Sequence, residues 1–280
     1  MALLPHADEE YGCLWRLLVT GCLPLLYLGL MYAFDWQGRH RDCPISIRRR
    51  VLGVSLACVL SGSLIVLLDH TVTLADFGIR LPGLLPALLL PLSVTMLLFL
   101  GPIVALVFDD TIAMYLDSFY WRSSLKNMIW LRNRVFAPIS EEFVFRSCTV
   151  ILLEACLSSN KLVLIAPLWF SLAHYHHMYD YVKSGHDGWS YAIRACSFQA
   201  LFTYIFGIYA TLIYIRSRHL AAVVLVHAFC NHMGFPEFDS IFQYQDYRKV
   251  VIIACYLLGL IMWTLSCPFL LDSVWYSIPT

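Results

Sequence analysis

The fold class this sequence predicts is all-α: a polytopic integral membrane helical bundle of about eight transmembrane helices. Two observations predict it. Apolar residues fill 60% of the 280 positions and charged residues only 14%, against about 25% charged in ordinary soluble domains. The apolar residues also arrive in blocks, and about 20 mostly apolar residues suffice to carry a helix across a bilayer.

Eight blocks meet that criterion, at 12–34, 51–69, 83–108, 138–158, 161–178, 195–215, 219–235 and 249–271. The first is preceded by Asp8, Glu9 and Glu10 rather than by positive charge, so it reads as a retained span and not as a cleaved secretory signal. Pro86 and Pro91 predict a kink or break near the start of the third. The fifth and seventh are the weakest lipid-facing spans, because they carry histidines, Asn231 and several tyrosines. Polar side chains at that depth are costly and normally face a protein interior or a wet cavity. Connections are short, with no linker, repeat or low-complexity tract, which predicts a single membrane-embedded domain over 1–280 with its catalytic core at about 110–235.

Charge sets the orientation. Arg39, Arg41, Arg48, Arg49 and Arg50 share one loop, and Arg122, Lys126, Arg132 and Arg134 another. With alternating helices both loops lie on one side, which basic excess marks as cytosolic; Arg216 and Arg218 dissent. Trp121–Arg134 mixes aromatic, apolar and basic residues, as an amphipathic helix in the interface would. The formal net charge of zero leaves no basic footprint for nucleic acid. The 10 cysteines contain no C-x-x-C pair, and most read as small apolar packing residues.

Three polar clusters remain. Glu141 and Glu142 open the fourth span, and Glu142 can pair with Arg146 at i, i+4, leaving Glu141 to face elsewhere. A plainer reading is a capped helix start, with Ser140 as N-cap. In the fifth span Phe170 and His174 share a face, followed by His176 and His177. In the seventh, His227 and Asn231 lie one turn apart and can reach one point; interhelical hydrogen bonding is the bland alternative. Alternation of the helices brings all three clusters to one leaflet. The set suits addition of water to a carbonyl, with Glu141 as base, His174 as its partner, and His227 with Asn231 stabilising the oxyanion.

The order Glu141-Glu142…Arg146, Phe170…His174 and His227…Asn231, each on a membrane helix, resembles the type II CAAX prenyl endopeptidases. That resemblance implies a cofactor-independent enzyme of the endoplasmic reticulum membrane, its site open to the cytosol. It would remove the last three residues of prenylated CaaX-terminal proteins such as farnesylated or geranylgeranylated GTPases. The likeness covers about 110–235; the first 100 residues add only apolar spans. The polybasic tail of such a substrate is expected to pass Asp180 and Asp187 rather than the basic loops.

Three other readings stand beside this one. A zinc protease could draw on the crowded His174, His176 and His177 with Glu141 and His227, although no H-E-x-x-H is present. Cys148 and Cys230 lie beside the clusters as alternative nucleophiles. A non-catalytic scaffold or transporter would use the same polar residues for packing or ion passage. It would lean more on Glu154, about 20 Å along the helix from Glu141 at ~1.5 Å per residue.

Overall fold

The computed structural model describes residues 9–183, 188–236 and 238–277, and its regular elements there are all helical. In chain order the α-helices are α1 Glu9–Phe34, α2 Pro44–Leu68, α3 Leu84–Leu98, α4 Leu100–Phe108, α5 Ile112–Leu116, α6 Ser118–Ser124 and α7 Met128–Leu131. They continue with α8 Ala137–Glu142, α9 Thr149–Glu154, α10 Ser159–Ala173, α11 His177–Lys183, α12 Trp189–Ser217, α13 Leu220–Met233 and α14 Asp246–Leu270. Two π-helical turns, Arg132–Phe136 and Phe143–Cys148, flank α8.

Helix α1 from Gly12, with α2, α12 and α14, is long and apolar enough to cross a membrane, and α3 with α4 makes a fifth if that bent pair is one span. The chain is a multi-pass membrane protein. The three other expected spans are helical but short or interrupted: α10 has 15 residues, α13 has 14, and the fourth is built from α8, a π turn and α9. These are the segments with the polar clusters. Their polar residues and π geometry leave too short an apolar run for a lipid-facing helix.

Two local expectations change. The third span does not break at Pro86 or Pro91; Pro91 sits inside α3, and the 72° bend falls between α3 and α4. Pro102 explains the place: it has no N–H for the carbonyl four residues back, and it sits in the first turn of α4, where that N–H is not needed. The interfacial segment Trp121–Arg134 is not one helix. Asn127 ends the preceding turn and caps α7, its Oδ1 accepting from the Ile129 and Trp130 N–H groups at 2.9 and 3.2 Å.

Contacts group the chain into two compact units, Met1–Ile79 with Ile139–Leu220, and Arg80–Pro138 with Ala221–Thr280. In the first, α1 lies along α2 and α10 along α12. Glycine permits the first approach: a Cβ on Gly53 would stand 2.5 Å from the Leu30 carbonyl oxygen. Leu23, Tyr27, Ile65, Val144, Phe145 and Phe170 fill the core between these helices. Cys13 and Cys156 are joined as a disulfide, Cα–Cα 5.3 Å, so these two are not merely packing residues. In the second unit α14 packs on α3 and α4, again through glycines, Gly101 against the Tyr256 ring and Gly259 against the Leu97 carbonyl. Its other face leaves Val250, Leu257, Ile261, Leu265 and Phe269 exposed, the side a bilayer covers.

Gly53→Val should lower the apparent melting temperature of detergent-solubilised protein by several degrees, since the added carbons meet backbone that cannot turn aside. Gly29→Ala, with nothing within 4 Å of the new Cβ, should leave it unchanged in the same assay.

Candidate active site

The chain is already helical from Met128 onward, well before Ser140, so Ser140 caps nothing. Its hydroxyl bonds the Tyr27 hydroxyl at 2.9 Å, and its carbonyl accepts from the Cys58 thiol at 3.7 Å. Glu141 follows half-buried, close enough to Tyr27 and Arg146 to act on both electrostatically. The next turn is π-helical, a local widening often found at functional sites.

That turn carries the ion pair the spacing predicts. Arg146 Nε lies 3.2 Å from Glu142 Oε2, and neither side chain has exposed surface. The guanidinium nitrogens make no hydrogen bond among the described residues. Charge and ring faces hold it instead, with the guanidinium carbon 4.3 Å above the Phe170 ring and 5.9 Å above that of Phe206. Desolvated, such a cation–π contact is worth about 2 kcal/mol. Phe170 then stands edge-on to His174, centroids 4.6 Å apart, and its carbonyl lies 2.8 Å from His174 Nδ1. Glu142, Arg146, Phe170 and His174 are therefore brought together as one packed series.

The first helix contributes more than apolar surface. Besides Tyr27, it brings the Tyr32 ring to 6.0 Å from that of His176. Arg50 lies 5.4 Å over the same tyrosine and donates to the buried Asp35 at 2.8 Å, which also accepts from the Ser46 hydroxyl. Two tyrosines in an otherwise apolar span were the signal for this role, and one without a motif. The His176 ring lies tilted against that of His177, centroids 3.9 Å apart. His177 Nδ1 lies 3.8 Å from Asp180, and this imidazole, with Arg50 and Arg41 behind it, holds the Asp180 carboxyl below the usual carboxylate range. Asp180 thus has His177, Arg50 and Arg41 acting on it from within the chain; Asp187 lies outside the described residues.

The second unit holds the other two site residues on α13. His227 is buried, and Asn231 lies one turn further, its Nδ2 donating to the Asn133 carbonyl at 2.9 Å. An amide nitrogen has two N–H groups, so one engaged here leaves the group able to donate again. Arg134 Nε donates to His232 Nδ1 at 3.2 Å, and the Tyr115 ring stands 5.1 Å from that imidazole. Past His232 a cavity of about 740 Å³ opens, lined among others by Tyr115, Phe235, Tyr244 and Tyr256. Neither Asn133 nor Arg134 was singled out as a site residue in the sequence. Among the described residues no group of three or more His, Cys, Asp or Glu side chains is placed to hold a metal ion. The histidine cluster is turned to its own backbone, with His174 and His176 Nδ1 on carbonyls of α10.

Comparison with known proteins decides the lineage. CAAX prenyl protease 2 of Homo sapiens is 36% identical over 95% of this chain and 84% of its own length. The chain belongs to the CAAX prenyl protease 2 family. The protein of the same name from Caenorhabditis elegans is 30% identical over 86% of this chain and 92% of its own length, and that of Saccharomyces cerevisiae 25% over 76% and 79%. The family model for the type II CAAX prenyl endopeptidase, Rce1-like, matches residues 123–233, which contain Glu141, Glu142, Arg146, Phe170, His174, His227 and Asn231. No solved structure matches. Family membership makes the chain a peptidase.

Removing one member of the buried pair should be far worse than removing both. Arg146→Met leaves an uncompensated buried carboxylate, a cost of about 3–5 kcal/mol, and should abolish recovery of folded protein from detergent. The double variant Glu142→Gln/Arg146→Met should recover more folded protein than the single one, measured by monodisperse yield in size-exclusion chromatography.

Proposed function

We propose that this protein removes the C-terminal -aaX tripeptide from prenylated CaaX proteins, such as Ras-type GTPases, by direct attack of a glutamate-activated water. The observation that carries the chemistry is the His174 ring. An imidazole whose Nδ1 faces a carbonyl keeps its proton there and presents the lone pair of Nε2, which suits it to hold water and take up a proton beside a carboxylate.

In this reading Glu141 takes a proton from the water as its oxygen attacks the carbonyl carbon of the prenylated cysteine. His227 and Asn231 donate to the oxyanion that forms. Collapse of the tetrahedral intermediate breaks the C–N bond, and the proton held by Glu141 and His174 goes to the departing amine. The products are a prenylcysteine carboxylate and a free tripeptide. Glu142, Arg146 and Phe170 hold His174 in place. Glu141, His174, His227 and Asn231 act together in this reading as parts of a single peptidase domain over 1–280, which rests on the order of the three motifs and on the family.

The same reading sets the enzyme in the endoplasmic reticulum membrane with its site open to the cytosol, where prenylated substrates are. The basic loops at 35–50 and 109–134 support that orientation. The cavity past His232 offers a route for the peptide, since it opens at the end of the helix that carries Asn231.

The test is release of the tripeptide from a farnesylated C-a-a-X peptide by membranes holding the whole chain. Wild type should cleave, and Glu141→Gln at equal expression should lose activity to background. Asn231→Ala should cost roughly 10²–10³-fold in kcat, the usual effect of one lost oxyanion donor. Indifference to a metal chelator is expected; abolition by chelator with recovery on zinc would replace the glutamate mechanism by a metal one. A wild type that never cleaves would return the scaffold or transporter reading.

A further inference from the structure

The first unit has two chemically different ends. One carries Arg39, Arg41, Arg48, Arg49 and Arg50, together with Lys183, whose ammonium donates to the Gly38 carbonyl at 2.5 Å. The His174–His177 turn lies at this end, through the Tyr32–His176 contact. The other end carries the start of α1 and the end of α9. Along α1, Cys13 and Tyr32 are 19 residues apart in sequence, or about 28 Å at ~1.5 Å per residue, close to the ~30 Å of a bilayer's hydrocarbon core. The disulfide and the histidine turn therefore sit at opposite faces of the membrane.

Disulfides persist in oxidising compartments and are rare in the cytosol. Of the cysteines in the described residues, Cys13 and Cys156 are the joined pair, 143 residues apart; Cys43, at the basic end, keeps its thiol. Both joined residues are half-buried, so an oxidant can reach them. Two neighbouring contacts close the same end, Arg16 to the Leu152 carbonyl at 3.1 Å and Glu154 to Arg218 at 2.6 Å. Arg16, Lys161, Arg216 and Arg218 at this end are fewer than the six cations opposite, so the charge rule still favours the opposite end as cytosolic.

We infer that Cys13–Cys156 is a lumenal disulfide that clamps α1 onto the end of α9, in the span that Glu141 opens. Two thiols lose two protons and two electrons to a disulfide-bearing oxidant of the lumen, which leaves as its dithiol. The clamp fixes the longitudinal position of α1, and α1 in turn places Tyr27 against Ser140 and Tyr32 against His176. The inference takes from the proposed function only the placing of the histidine end toward the cytosol.

The test uses the full chain in sealed microsomes. Thiols are blocked with N-ethylmaleimide in denaturing detergent, the protein is reduced, and polyethylene-glycol maleimide is added. Wild type should gain two adducts on a gel, and Cys13→Ser and Cys156→Ser none. Before solubilisation, an impermeant reductant added outside should leave the bond intact until the membrane is opened, whereas Cys43, its thiolate favoured by the backbone amides of Ile45 and Ser46, should label from outside. Cys13→Ser should also melt several degrees lower than wild type, and the Cys13→Ser/Cys156→Ser double variant no lower than the single one. No adducts after reduction, or reduction of the bond in sealed vesicles, would overturn the inference. Tripeptide release is measured on the same membranes, so cleavage without a disulfide sinks this inference alone, and a disulfide without cleavage sinks the proposed function alone.

Discussion

The ion pair of Glu142 and Arg146 has no exposed surface, and the first unit is organised around it. Charges stripped of water cost several kcal/mol each, and mutual attraction repays this only in good geometry. Here the carboxylate stands beside the guanidinium, and two aromatic rings close over the cation. Because Phe170 is one of those rings and its carbonyl meets His174, the position of the histidine follows from where the buried cation settles. The buried pair and the histidine proposed as partner of Glu141 are thereby joined through one phenylalanine.

Helix α1 supplies the other support. It reaches the region of Glu141 through Tyr27 and that of His174 through Tyr32, two residues on one rigid helix. Arg50 lies over the Tyr32 ring and is itself held by Asp35. In the proposed mechanism these contacts from one helix would keep Glu141 and His174 in fixed relation, as electrostatic stabilisation of a transition state requires. Alternative nucleophiles fit less well: Cys148 is wholly buried among apolar side chains, where a thiolate is disfavoured.

Much of this was legible in the chain itself. The helical class follows from composition, and the pairing of Glu142 with Arg146, the shared face of Phe170 and His174, and the turn from His227 to Asn231 all follow from helical periodicity. Local rules failed where a distant residue intervened. Ser140 looks like a helix cap because such a residue before two acids usually is one, yet the helix runs on past it toward the N-terminus and Tyr27 takes its hydroxyl. The third span bends at Phe99 and not at Pro91, because Pro102 lies in the first turn of the helix that follows. Asp180 reads as an isolated acid in the sequence, whereas in the fold His177 stands 3.8 Å away and Arg41 and Arg50, more than a hundred positions distant, act on it.

The sequence alone determined the membrane class, the identity of the polar residues that a bilayer would not tolerate without purpose, and the family they mark. These rest on counts and short spacings, which a chain carries whatever its fold. The tertiary structure alone decided the role of α1, the rings that cover Arg146, the Asn133 carbonyl that meets Asn231, and the pairing of Cys13 with Cys156. Each of these joins residues tens to more than a hundred positions apart, and no periodicity in sequence encodes which distant side chain will fill a given space when helices pack.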